Sequence, residues 1–145
     1  MRILPTIDYP ADLKRLPRAD LELLCREIRE FLIESVTATG GHLSSNLGVV
    51  ELTAALHYVF DVGPEKDRIV FDVSHQAYVH KILTGRRSRF GTLRKTDGLC
   101  GFTSQYESGY DLFHVSHAGT AVSTALGYRR GREHDLLDDV RRRHI

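Results

Sequence analysis

Eight histidines in 145 residues are the first chemical signal: His42, His57, His75, His80, His114, His117, His134 and His144. Three of them sit where the sequence changes character. His42 follows Gly40-Gly41, His75 follows a run ending in Asp72-Val73-Ser74, and His117 precedes the small-residue stretch AGTAVSTALG. Loops at the carboxyl ends of parallel strands are where α/β sheets hold ligands. An imidazole placed there donates, accepts, or carries charge near neutral pH. It is suited to binding a phosphate or to moving a proton at a substrate oxygen. The plain alternative for each is a loop histidine satisfied by backbone or water. His57 lies in an apolar run and reads as packed core, whereas His134 and His144 read as solvated surface. Neither His75/His80 nor His114/His117 has HExxH spacing or a supporting cysteine pair, so no metal ligand is assigned. With no GxSxG elbow, a Ser–His nucleophile is unsupported as well.

Two further segments have anion-handling chemistry. GGHLSSNLG, ahead of an apolar helix, combines glycines with Ser44, Ser45 and Asn46 as donors near a helix N-terminus. Its glycine spacing is not that of a P-loop. Arg86, Arg87, Arg89, Arg94 and Lys95 form a local basic cluster, which reads either as a steering patch for an anion or as a solvated loop. Only Phe90 interleaves with it, which argues against a single-stranded nucleic-acid platform.

The elements that must position these residues follow from periodicity. Residues 1–18 carry Pro5, Pro10 and Pro17 and read as an extended lead-in. Leu21, Leu24, Ile28, Phe31, Leu32 and Ser35 fall at helical steps, and Gly40-Gly41 ends that helix. The HLSSNLG stretch is too turn-prone for regular structure. Val49–Phe60 is apolar on nearly every face, which predicts a helix buried between other elements. Asp67–Val73 has the branched and aromatic content of a buried strand, and His75–Thr84 is helical with Gly85 as its stop. Arg86–Tyr110 is irregular, Asp111–Ser116 is a brief strand-like piece, and Ala118–Tyr128 is a small-residue helix. Glu133–Ile145 reads as a charged helical tail with a thin stripe of Leu136, Leu137 and Val140. The order predicts an α/β layered fold with a parallel sheet, although two strands are too few for a complete doubly wound domain.

Composition narrows the function class. Twenty Lys+Arg against nineteen Asp+Glu exclude a polycationic nucleic-acid binder by bulk charge. Cys25 and Cys100 form no CxxC pairing, and no apolar run reaches the length of a spanning helix. A soluble, reducing, cytoplasmic setting is the expectation.

Three strings, GGHLSSNLGVVELTAALHYVF, DRIVFDVSHQAYVHKILTGRR and GLCGFTSQYESGYDLFHVSHAGTAVSTALG, resemble in order the amino-terminal part of the 1-deoxy-D-xylulose-5-phosphate synthase family. The resemblance implies a transketolase-like enzyme using thiamine diphosphate and magnesium. Such an enzyme condenses pyruvate with glyceraldehyde 3-phosphate, with loss of carbon dioxide, for isoprenoid, thiamine and pyridoxal synthesis. It implies an incomplete thiamine-diphosphate-binding domain over residues 19–128, with a partial parallel sheet and flanking helices, and a tail over 129–145 outside the resemblance. By motif, His42 is the catalytic histidine, and His75, Ser116, His117 and Ala118 contact the cofactor. The family is dimeric, so a homo-oligomer or a complementing chain is expected, and no nucleic-acid or membrane partner is.

The departures matter. Ser74 stands where the family has glycine, Val79 where it has proline, and SHAGTAVS where it has GHSSTSIS. No Gly-Asp-Gly occurs, and the sole asparagine is Asn46, so the family's magnesium ligands are not encoded here. The chain by itself is therefore expected to be inactive. The competing expectation is a noncatalytic module that docks on an intact synthase.

Overall fold

The computed structural model describes the backbone of residues 2–143 and the side chains of residues 2–132. Six α-helices are present among these residues: α1 (Pro10–Lys14), α2 (Leu21–Thr39), α3 (Leu43–Leu47), α4 (Val50–Val59), α5 (Tyr78–Lys81) and α6 (Ala121–Arg143). The side chains of Leu136, Leu137 and Val140, and those of His134 and His144, lie outside the described residues.

Helix α2 forms where the periodicity placed it. Leu24, Ile28, Leu32 and Val36 line its buried face, and Gly40 ends it at φ 79°, a conformation glycine adopts without penalty. That face packs on α4 and on the segment from Tyr78 to Leu99, through Tyr78, Ile82, Leu83, Phe90, Leu93 and Leu99. The lead-in is not extended. It folds into a turn at Leu4–Thr6 and then α1, burying Leu4, Ile7 and Leu13. The Glu27 carboxylate fastens it by accepting the N–H groups of Ile3 (2.8 Å) and Leu4 (2.6 Å).

The expected parallel sheet is not present among the described residues. Asp67–Val73 makes one isolated parallel bridge, between Val62 and Asp67, and otherwise has no ladder partner. A strand exists only when a second segment satisfies its N–H and C=O groups, so branched and aromatic residues alone do not make one. Asp111–Ser116 is irregular for the same reason. Helix α4 also departs from expectation: Val50, Thr53, Ala54 and His57 are buried, but Leu52, Val59 and Phe60 are 60 %, 69 % and 50 % exposed. HLSSNLG, expected to be irregular, is largely helical as α3.

A buried polar chain joins α4, α5 and the long irregular segment. His57 Nδ1 lies 2.8 Å from the Thr53 carbonyl and its Nε2 lies 2.8 Å from His80 Nδ1; His80 Nε2 lies 3.0 Å from Asp111 Oδ1. A carbonyl and a carboxylate only accept, so these three contacts need three ring protons, one more than two neutral imidazoles carry. Burial and the neighbouring His80 push the His57 pKa down to about 3. Burial drives His80 toward its neutral form as well, and the hydrogen bond and charge of Asp111 act against that drive. Burial alone would raise the Asp111 pKa; hydrogen bonds from His80 and Arg86 hold it well below the usual carboxylate range. The Arg86 guanidinium grips both Asp111 oxygens, at 2.7 and 2.8 Å, and Lys81 pairs with Glu107 at 2.5 Å. Arg86 thus leaves the basic cluster read from the sequence and turns inward.

Two outcomes follow. Asp111→Ala strips the buried Arg86 guanidinium of its counter-charge and His80 of its hydrogen-bond acceptor, and is expected to cost about 3–5 kcal/mol in urea unfolding. Because the folded His57 pKa lies below its unfolded value of about 6.5, the unfolded chain takes up a proton that the folded chain refuses. His57 alone should lower stability by up to about 1.4 kcal/mol per unit as pH drops from about 6.5 to about 5, the slope steepening toward the lower end. A flat profile of urea midpoints over that window would contradict the buried neutral imidazole.

Candidate functional site

The structure brings His42 and His75 together. Their rings meet edge to face with centroids 5.4 Å apart, and Phe102 closes on His42 at 5.6 Å. Two side chains from the same motifs produce this meeting, and both are wholly buried. The Asn46 carboxamide, on α3, donates to the carbonyls of His42 (2.6 Å) and His75 (2.9 Å) and accepts the N–H of Tyr78 at 2.8 Å. One planar group therefore holds both histidine loops and the start of α5. Asn46 is no anion donor, as the composition of its loop suggested, but an internal clamp. The Tyr78 hydroxyl reaches back from α5 and lies 3.3 Å from both the N–H and the Nδ1 of His42. A Cβ on Gly41 would fall 2.8 Å from that hydroxyl, at φ 142°, so glycine is required there.

The electrostatics favour a neutral His42. Partial burial lowers its pKa first, and His75 and Arg94 lower it further. His75 Nδ1 is buried and has no hydrogen-bond partner among the described residues. Buried ring nitrogens are normally paired, which sets this atom apart from the paired ring nitrogens of His57 and His80.

The residues just before His75 carry the strain of the site. Val73 and Ser74 both have positive φ, 61° and 71°. For a β-branched residue such as Val73 that conformation is uncommon, and strain of this kind gathers at functional sites. The Ser74 N–H closes a tight turn onto the Asp72 carbonyl at 2.6 Å. The Ser74 hydroxyl donates to the Val115 carbonyl at 2.7 Å and accepts the Thr103 N–H at 3.0 Å. The Asp72 carboxylate accepts the N–H groups of Gly119, Thr120 and Ala121 at 3.0, 3.0 and 3.3 Å. It therefore caps the start of α6, and these hydrogen bonds, that of Gly119 foremost, lower its pKa.

Ser116, His117 and Ala118 lie between those two anchors, on an exposed turn. No hydrogen bond or ring contact joins their side chains to His42 or His75 among the described residues. What connects them is the 72–74 turn, which holds Val115 on one side and Gly119–Ala121 on the other. A groove along Phe113, Val115, His117, Thr120, Thr124 and Tyr128 opens beside them. The histidines are apparent from their place in the sequence, whereas the arranging roles of Asn46, Asp72, Ser74 and Tyr78 appear only in the structure. Three of these stand in the DVSHQAY string, where the adjacent histidine was the available signal. No group of three or more His, Cys, Asp or Glu side chains capable of holding a metal ion occurs among the described residues.

Residues 4–141 match the family model described as 1-deoxy-D-xylulose-5-phosphate synthase. The chain is similar to the 1-deoxy-D-xylulose-5-phosphate synthase of Polaromonas naphthalenivorans (strain CJ2), 61 % identical over 125 residues, covering 86 % of this chain and 19 % of that protein. It is 59 % identical over 129 residues to the enzyme of the same name from Ralstonia pickettii (strain 12J), covering 89 % and 20 %. It is 55 % identical over 139 residues to that of Methylacidiphilum infernorum (isolate V4), covering 92 % and 22 %. The chain thus spans about a fifth of the length of these curated relatives.

The Ser74 hydroxyl compensates for the strain at its own backbone, which separates two substitutions. Ser74→Ala keeps the positive φ and leaves the Thr103 N–H unpaired, for an expected loss of about 1–3 kcal/mol. Ser74→Gly loses the same hydrogen bonds but relieves about 1 kcal/mol of backbone strain. Urea denaturation should therefore rank wild type above Gly and Gly above Ala.

Proposed function

The chain belongs to the 1-deoxy-D-xylulose-5-phosphate synthase family, and we propose that it supplies the histidine-bearing wall of a thiamine-diphosphate site. The proposed reaction is the condensation of pyruvate with glyceraldehyde 3-phosphate, releasing carbon dioxide, in the cytoplasm. The observation that carries this reading is the pairing of His42 and His75 across a single buried asparagine, with His75 Nδ1 buried and unpartnered among the described residues.

That orphaned nitrogen fits a diphosphate oxygen, which accepts a hydrogen bond from Nδ1–H. His75 is therefore the residue proposed to hold the cofactor's diphosphate. Ser116, His117 and Ala118 are proposed to lie along the cofactor, on the turn that Asp72 and Ser74 hold beside His75. Bound thiamine diphosphate supplies an electron sink for the carbon that loses carbon dioxide. His42, neutral and packed against Phe102, is the residue proposed to act on the substrate oxygen. Magnesium is proposed to be held from elsewhere, because the sequence has no Gly-Asp-Gly. We assign the metal ligands to the remainder of the site, contributed by a further segment, a second copy or a complementing chain.

A second reading, a noncatalytic module that docks on an intact synthase, draws on Leu52 and Val59 of α4 and Phe60 just after it, which stand exposed among the described residues. No helix among the described residues is long and apolar enough to cross a membrane.

A chimera separates the two readings. This chain is exchanged for the matching fifth of the Polaromonas naphthalenivorans relative, and condensation of pyruvate with glyceraldehyde 3-phosphate is assayed. The exchanged enzyme should turn over. His42→Ala should lower kcat by about a hundredfold or more, and His75→Ala should chiefly raise the concentration of thiamine diphosphate needed. The chain alone should show neither magnesium-dependent calorimetric binding of thiamine diphosphate nor pyruvate decarboxylation. A chimera whose rate is indifferent to His42→Ala would overturn the proposal.

A further inference from the structure

The Tyr78 hydroxyl is a buried group whose proton has one place to go. The oxygen accepts the backbone N–H of His42 at 3.3 Å, which leaves its own hydrogen to be donated. Tyr78 is 0 % exposed, so water does not take that hydrogen. The ring nitrogen Nδ1 of His42, also at 3.3 Å, is the one acceptor within hydrogen-bonding reach among the described residues. If Nδ1 carried a proton instead, the hydroxyl oxygen would have to accept from it as well, and its own hydrogen would turn away with no acceptor among the described residues.

We infer that Tyr78 is a positioning residue that holds neutral His42 in its Nε2–H tautomer. The ring then offers a hydrogen-bond donor at Nε2, which makes no hydrogen bond of its own among the described residues. In this form His42 stabilises negative charge developing on a substrate oxygen; it does not start the reaction as a base. Other features of the pair agree. Burial raises the Tyr78 pKa, so the hydroxyl keeps its hydrogen, and burial with His75 and Arg94 lowers that of His42, so the ring stays neutral. The missing side chain at Gly41 makes the approach of the hydroxyl possible. Asn46 accepts the Tyr78 N–H, which fixes where the tyrosine begins its reach.

The catalytic use of the donor rests on the proposed function, whereas the tautomer does not. The test is therefore spectroscopic and uses the 145-residue chain without cofactor. Long-range proton–nitrogen correlation of labelled histidine rings, near neutral pH, reports which nitrogen is protonated. Wild type should show a pyrrole-type Nε2 and a pyridine-type Nδ1 for His42, assigned by its disappearance in His42→Gln. Tyr78→Phe keeps the ring and its packing, and should convert His42 to a mixture in which Nδ1–H is substantially populated. A pyrrole-type Nδ1 in wild type would overturn the inference, and that spectrum decides even if the phenylalanine variant fails to fold. An unchanged tautomer in a folded Tyr78→Phe protein would overturn it equally. An inactive chimera with the expected tautomer would refute the proposed reaction and leave the hydrogen-bond assignment standing.

Discussion

The arrangement of the site depends on one buried carboxamide. Asn46 makes three hydrogen bonds, to two carbonyls and one N–H that belong to two distant stretches of backbone, at His42 and at residues 75–78. No backbone group can do this, because a peptide unit's donor and acceptor point in opposite directions, whereas a side-chain amide presents both from one plane. Two neighbouring donors and an acceptor in a dry setting also resist replacement: aspartate would turn the donor side into a second acceptor, facing carbonyls. The short helix α3 has little stability of its own at five residues. Its register is held from within, by the same side chain it displays.

Beneath this clamp lies a second polar layer of a different kind. His57, His80, Asp111, Arg86, Lys81 and Glu107 form a dry chain of charge and hydrogen bonds behind α5. Such groups are a costly filling for a core, and apolar residues of similar size commonly stabilise more. Their use here is directional. Asp111 also accepts the Ser104 N–H at 2.7 Å, and Glu107 accepts that of Cys100, so the irregular stretch after Leu99 is tied to α5 at defined points. Apolar contacts would hold that stretch close without giving it a register. Phe102, which closes on His42, sits between these two fixings.

How far the sequence revealed this depends on the range of the forces involved. Helix α2 was legible because its apolar steps and terminal glycines are local, and His57 because an imidazole in an apolar run has to be packed. The loops of His42 and His75 were legible as transitions, and the family strings made them specific. The strand expected at Asp67–Val73 illustrates the opposite case. Its composition is that of a strand, but a ladder needs a second segment, and none of the described residues provides one. The apolar run of α4 predicts burial all round because hydropathy counts residues and says nothing of what covers them. Asn46, Asp72, Ser74 and Tyr78 act across 29 to 49 positions. No local pattern announces a contact of that span, and small polar residues in loops are too common to stand out.

The tight turn at Asp72–Ser74 has a thermodynamic consequence. Its two side chains tether the exposed stretch around Ser116 at both ends before any ligand arrives. A loop of that length left free would lose its configurational freedom at the moment of association, and the loss would subtract from affinity. Here most of that loss has already occurred on folding, so a ligand at this surface would meet a shape largely decided. Association should therefore proceed with little reorganisation on this side of the site.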